Sequence, residues 1–400
     1  MPRRQSVSTT HAPAGADLVE RATQLQPLLR SHALWTEENR RLHTENIEAL
    51  ADAGVFRMRV PTRYGGLESD SKTMVDVCGA IGRGDSSTAW NISVWFTCTW
   101  MASMFADEVQ DEVFATPDVR VCGVLSPTAV AVPSNGGYLV NGSWHFVSGA
   151  LHSQWQVIVA LAPAPDGVQQ MPVLAMVPMS DLEIVDDWRT AGLRGTGSVS
   201  TVAKDVFVPA IRVLPVPLVL QEQYASQLNT AIPMFRTPLM PVGCASFVGG
   251  SVGIARAAMD NFMERLPGRP ITYTGYESQA AAPLTHLQLA QASLLTDEAE
   301  YHAQRIAALV DHKDRSGEAW TLEERVRTRV STGRAFQLVK SAVDVLNTAS
   351  GGSSVFSTVP IQRLERDIQT MNLHALMHPN TTAEVYGRVL CDLEPNTPFI

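Results

Sequence analysis

The chain has 400 residues, of which 45% are hydrophobic and 18% charged, enough apolar material for a large interior divided into two or three units. Lys and Arg number 31 against 40 Asp and Glu, a formal net charge of -9, so the basic footprint that nucleic acid requires is absent. No apolar run approaches the roughly 18 to 20 residues that span a bilayer, and no apolar block follows Arg3 and Arg4 to suggest a signal peptide. Five scattered cysteines form neither a CxxC pair nor an even framework, which predicts free thiols and a cytoplasmic setting.

Residues 1–16, rich in Ser, Thr, Ala and Pro without apolar periodicity, read as a disordered tail. A helical unit is expected over 17–119. Asp17 is placed as an N-cap before Leu18, Ala22, Leu25 and Leu29, and a second helix runs from Thr36 through Leu42 and Leu50 to a stop at Gly54. Residues 75–81 and 89–105 are apolar without strand alternation and extend the helical reading. Over 120–214 the texture changes to short β-branched runs bounded by Gly, Pro and Asn. Asn135-Gly136 and Asn141-Gly142 are dipeptides that tight hairpins use, so an antiparallel barrel or sandwich is expected. Helices return over 215–400: residues 247–262, 284–312, 322–348 and 361–390 are long and amphipathic, as in an antiparallel four-helix bundle. The class is α+β, in the order α, β, α.

No G-x-G-x-x-G follows a strand into a helix, no P-loop is present, and GLRGTG at 192–197 has the wrong glycine spacing. The chain is therefore not expected to bind its own nicotinamide cofactor or ATP. HExxH is missing, and His374 with His378 at i, i+4 lacks a third ligand in the segment, so no metal site is expected.

Four segments then match one family in order: VPTRYGG at 60–66, GGYLVNGSWHFVSGA at 136–150, GLRGTGSVSTVAKDVFVP at 192–209 and GGSSVFSTVPIQRLERD at 351–367. The chain resembles the acyl-CoA dehydrogenase superfamily over essentially its whole length after the tail. That resemblance implies an N-terminal helical domain, a central β domain, a C-terminal helical domain, a flavin between the last two, and a homotetramer. In the dehydrogenase branch a Glu shortly after an Arg-Asp pair removes the α-proton of an acyl thioester. Counting on from Arg366-Asp367, that position is Ala375. A second location for the base, earlier in the helical domain, leaves a dehydrogenase open as the alternative. The better resemblance is to the group D flavin-dependent monooxygenases. Their oxygenase components take reduced flavin, FADH2 or FMNH2, from a separate NAD(P)H:flavin reductase and use O2 through a C4a-hydroperoxyflavin to oxidise phenols, indoles, thiophenes or amino sugars. A small aromatic or indole-like substrate is expected. A third reading is an inactive scaffold of the same fold.

The resemblance also implies roles. Ser148 matches a serine that hydrogen-bonds near flavin N5, surrounded by Phe146, Trp144 and Trp155; by itself it reads as a hairpin serine, and the full matching segment reverses that. His374 falls where relatives carry a histidine facing flavin and substrate, and an imidazole with a pKa near neutrality can both donate to the peroxide and accept a substrate proton. His378, one turn on, either supports it, lines the pocket or is solvated. Arg265 and Arg269 resemble a segment whose arginine reaches flavin phosphate across a subunit interface, without distinguishing which of the two does so. Gly195, Thr196, Gly197 and Ser198 match backbone close to the flavin, or form a plain turn. Ser126 and Thr128 match a stretch passing over the ring. Cys98 stands where phenol-hydroxylating relatives often have His, which favours substrates that need no phenolate; it and Trp95, with Trp90 and Trp100, either line the pocket or are core.

Overall fold

The structure, a computed structural model, describes residues 15–400. Six helices come first: α1 (Gly15–Gln24), α2 (Gln26–Asn39), α3 (Thr44–Asp52), α4 (Ser71–Gly84), α5 (Ser86–Ala102) and α6 (Asp107–Val113). Eight strands follow: β1 (Val121–Gly123), β2 (Ala129–Ser134), β3 (Gly137–Trp144), β4 (Trp155–Pro163), β5 (Gln170–Pro178), β6 (Glu183–Val185), β7 (Ser200–Pro209) and β8 (Val213–Pro215). The remaining helices are α7 (Val216–Leu220), α8 (Leu239–Arg265), α9 (Pro283–Ser316), α10 (Leu322–Ala349), α11 (Pro360–Met371) and α12 (Pro379–Leu390).

The α, β, α order agrees with the sequence, and four local expectations are corrected. Residues 1–14 of the expected tail lie outside the described residues, while Gly15 and Ala16 already belong to α1; Asp17 therefore sits inside the first turn, paired with Arg21 at 2.6 Å, rather than capping it. The helix expected from Thr36 to Gly54 is two helices. Arg40 adopts a left-handed conformation (φ 54) that ends α2, and the His43 ring accepts the Glu45 N–H to start α3. Likewise the stretch over 361–390 breaks between α11 and α12. Pro379 disfavours helical ψ at the residue before it, and His378 sits at ψ 119. Finally, α8 is long and apolar enough to cross a bilayer, contrary to the reading of the sequence; its apolar window is 89% buried inside the fold, so its composition reflects a core helix.

The sheet order is β6-β7-β3-β2-β4-β5-β8, with β1 also on β4. It is mixed rather than antiparallel, because β1 and β2 both run parallel to β4. The reason is the connection after β3. Instead of a hairpin, residues 145–154 carry the chain across, so that β4 enters beside β2 in the same direction, and this crossing holds Ser148. Asn135-Gly136 does make the tight β2–β3 turn, Ser134 pairing with Gly137 and Gly136 at φ 79. Asn141-Gly142 is instead a bulge inside β3, where the register against β7 shifts and Asn141 bonds Asp205 at 2.9 Å.

α4 and α8 approach so closely that backbone meets backbone. A Cβ on Gly253 would lie 2.2 Å from the Gly79 carbonyl oxygen, and one on Gly249 2.2 Å from that of Val75. Only glycine permits that distance, and it seats α8 against α4 and α5. Gly253→Ala is expected to destabilise the fold by about 1–3 kcal/mol, as an overpacked core does. Chemical denaturation would measure this, and an unchanged midpoint would contradict the packing argument.

Candidate active site

α5 is buried along its length except at Thr97. A helix so placed must satisfy its polar side chains within the protein, and two of them build the site. The Trp90 indole donates to Ser148 Oγ at 2.9 Å, and Asn91 Nδ2 donates to the Thr196 carbonyl at 3.0 Å. From Ser148 a chain of hydroxyls runs on: Ser148 Oγ to Ser198 Oγ 2.7 Å, Ser198 Oγ to Thr196 Oγ1 2.7 Å, and Thr196 Oγ1 to the Leu193 carbonyl 2.8 Å. A carbonyl only accepts, so Thr196 must donate to Leu193, Ser198 to Thr196, and Ser148 to Ser198. The Ser148 proton is thus committed. One lone pair on its oxygen takes the Trp90 N–H, and the other is free to accept.

Over Trp90 sit two further rings. His374 lies edge-on at 5.3 Å, Phe247 from α8 is 4.9 Å away, and Phe247 stacks on His374 at 6.1 Å. His374 lies in the turns between α11 and α12, and its Nδ1 accepts the Leu376 N–H at 3.3 Å, which leaves the proton of the neutral ring on Nε2. Burial pulls its pKa from 6.5 to about 4 although part of the residue stays accessible. This corrects the expectation of a near-neutral base: the ring is uncharged and presents a donor. His378 does not stack on it; it occupies the N-cap position of α12, and its Nδ1 is buried without a partner.

The other expected residues divide. Phe146 is 68% exposed at φ 63 and meets Trp188 edge-on at 5.8 Å, Trp144 is spent on the Val159 carbonyl, and Trp155 lies under the Arg212 guanidinium. Each ring thus has its own contact, and none hydrogen-bonds Ser148. Trp95 is edge-on to Phe56, donates to Ser153 and packs under Gly149, while Cys98 faces Gly123 on β1 with its thiol pushed well up by burial. Of the tryptophans on α5, Trp90 is the one in the aromatic group with Phe247 and His374. Gly195 and Gly197 are required by the protein itself, since a Cβ would meet Thr36 and Ser87 in one case and the Arg40 carbonyl in the other. Ser126 and Thr128 are exposed in the β1–β2 loop, with Thr128 tied to the Ser143 carbonyl at 2.5 Å.

Arg265 and Arg269 converge. Both donate to Ser353 Oγ, at 3.0 and 3.1 Å, and neither has a carboxylate partner among the described residues. Arg265 Nη1 is buried without any partner. Two guanidiniums with unspent donors suit a phosphate. Among the described residues no carboxylate hydrogen-bonds to Trp90 or His374, and Asp260, the first acid on α8, is held by Arg83 at 2.6 and 2.7 Å. A separate cluster, His32, His43 and Glu45, has ligand atoms within 4.8 Å. Its rings stack face to face at 3.9 Å, so their in-plane lone pairs run side by side instead of converging on an ion. Trp90 was legible as an aromatic on an apolar helix; Phe247 and the Ser198–Thr196 link carried no signal, because tertiary placement alone brings them in.

Comparison with known proteins places the fold. Residues 21–117 match the acyl-CoA dehydrogenase N-terminal domain and residues 245–379 the acyl-CoA dehydrogenase C-terminal domain. The flavin-dependent monooxygenase oxygenase subunit HsaA of Rhodococcus jostii is 30% identical, over 92% of this chain and 97% of its own. A pigment production hydroxylase of a Rhodococcus species is 29% identical over 96% and 98%. The solved structure of XiaF from a Streptomyces species, in complex with FADH2 and glycerol, superposes with a TM-score of 0.90 at 31% identity, covering 96% of this chain and 97% of that one. The chain belongs to the acyl-CoA dehydrogenase superfamily and, within it, to the oxygenase components of two-component flavin-dependent monooxygenases.

Proposed function

We propose that this enzyme receives reduced flavin from a separate reductase and inserts one oxygen atom of O2 into a small aromatic or heteroaromatic compound beside Trp90, Phe247 and His374. The observation that carries the reading is the Ser148 oxygen. Its proton is committed and one lone pair is open, so it is an acceptor and not a donor. Reduced flavin carries an N–H at N5, the complement of that oxygen, and the arginines at 265 and 269 offer unspent donors to flavin phosphate. A flavin held there would supply two electrons to O2, one oxygen entering the substrate and the other leaving as water.

The chain's own groups do the rest. Ser148 holds the N5 proton in place, the indole and phenyl faces exclude water and stack an aromatic ring, and neutral His374 donates from Nε2 to an oxygen at the reacting centre. Phenols and indoles both fit this set of contacts. The relatives named as a resorcinol hydroxylase and an indole-3-acetate monooxygenase support that breadth. Nothing favours the dehydrogenase alternative, since Ala375 has no acid and Asp260 is paired outside the aromatic group. Buried free thiols at Cys78, Cys98, Cys122 and Cys244 fit the cytoplasm. A homotetramer fits the exposed row Leu284, Leu287, Leu294 and Tyr301 on α9.

Anaerobic stopped-flow with reduced FMN and reduced FAD, followed by oxygenated buffer, is expected to show a near-ultraviolet band before oxidised flavin forms. Ser148→Ala should shorten its lifetime about fivefold, the effect of one neutral hydrogen bond of about 1 kcal/mol. Direct reoxidation of both flavins by the unaltered enzyme would refute the reading.

His374 gives a pH signature. The native ring stays neutral down to about 4 while the unfolded chain takes up a proton near 6.5, so stability present above pH 6.5 is lost as pH falls towards 4. Allowing for its partial exposure the loss is on the order of 1–2 kcal/mol. Melting curves of His374→Gln against the parent from pH 7 to 4 should diverge in slope by that amount. For assembly, light scattering on Leu287→Glu/Leu294→Glu is expected to show a smaller particle than the parent.

A further inference from the structure

Asp367 touches none of the groups assigned above to flavin or substrate, yet it is the carboxylate wired to the hydroxyl chain. It is 2% exposed. One oxygen accepts the Leu193 N–H at 2.5 Å and the other accepts the Ser86 hydroxyl at the start of α5. Leu193 is the head of the turn that carries Thr196 and Ser198. It adopts φ 52, ψ 32, a left-handed conformation that costs a side chain such as leucine strain. Its carbonyl is the acceptor that ends the hydroxyl chain, and the same oxygen takes the Trp188 indole N–H at 2.8 Å. So one residue in a strained conformation has its N–H held by α11 and its C=O reading out the proton direction of Thr196, Ser198 and Ser148.

We propose that Asp367 is a positioning residue: by holding the Leu193 N–H and the Ser86 hydroxyl together it keeps Leu193 left-handed, and thereby keeps the open lone pair of Ser148 facing the flavin site. The inference rests on the proposed function, since that lone pair is the feature it preserves. An ionised acceptor suits the task, because a charged oxygen binds an amide N–H more strongly than a neutral one does. The charge is expensive to bury, and burial, opposed by the two hydrogen bonds and by Arg363, lifts the Asp367 pKa to about 6. Asp85, the N-cap of α5, is a second buried acid nearby, held separately by Thr88. A structure that needed only packing here would be better served by an amide or an apolar side chain.

Two measurements test this, one of them independent of flavin. Amide hydrogen exchange in the flavin-free enzyme should show Asp367→Ala accelerating exchange across residues 193–199 about tenfold, the loss expected for one hydrogen bond to a charged group, with α4 and α8 unchanged. Acceleration throughout α4 and α8 would mean general loosening and would overturn the assignment, as would no change at 193–199. The second measurement is a cycle on the lifetime of the oxygenated flavin species with Asp367→Ala, Ser198→Ala and the double variant. If Asp367 acts through the hydroxyl chain, each single change shortens the lifetime and the double is no worse than the larger single. Effects that multiply would overturn the proposal. Asp367→Asn, which keeps shape and one carbonyl acceptor, gives the same comparison at smaller amplitude should the alanine variant fold poorly. Absence of any such species in the parent would refute the proposed function, and the exchange result would still decide the role of Asp367.

Discussion

Everything near the site depends on one constraint: α5 is enclosed by other elements along nearly its full length. Water reaches few of its polar side chains, so some turn back on the helix, as Ser93 does to the Ala89 carbonyl, and the others reach into neighbouring elements. Ser86 reaches α11, Trp90 reaches the β3–β4 crossing, Asn91 reaches the turn before β7, Trp95 reaches Ser153, and Trp100 reaches the Met234 carbonyl. The bonds of Trp90, Asn91 and Trp95 join α5 to the β part, and those of Ser86 and Trp100 join it to the C-terminal helical part. The candidate site lies where three of them meet, which is why it forms between domains and not within one.

The electrostatics follow the same layout. The rings around Ser148 are neutral, His374 included, and the nearby buried acids are tied to backbone N–H groups and hydroxyls. The free positive charge stands apart, at Arg265 and Arg269 beside Ser353. A centre that must protect a reactive oxygen species from water gains from an apolar, uncharged interior, and a large anionic cofactor gains from cations at its far end. The aromatic group itself therefore carries no charge, while the buried carboxylate of Asp367 lies behind it, spent on the Leu193 N–H and the Ser86 hydroxyl.

Much of this could be read from the residues. The change from 3.6-residue to two-residue periodicity near Val121 and back near Val216 marks the domain order, and Ser148 and His374 stand in segments distinctive enough to single out. What could not be read is instructive. Arg40 ends α2 in a conformation that Gly or Asn usually supplies, so no stop signal was visible. The parallel pairing of β4 arises from a crossing whose path is tertiary, and Asn141-Gly142 looks like a turn but makes a bulge. The pKa of His374 is a property of what surrounds it. Even spacing on α5 made Trp90, Trp95 and Trp100 look equivalent, although only the first faces Phe247.

The glycine contact between α4 and α8 has a further consequence, for how the chain is made. The two helices that meet backbone to backbone are separated by α5 to α7 and the whole of the β domain in order of synthesis. While the ribosome is still adding residues between them, α4 and α5 stand with their apolar surfaces unclosed. At ~5–20 residues per second that interval lasts on the order of ten seconds or more. Until α8 emerges, the partner surface that closes the N-terminal helices does not yet exist.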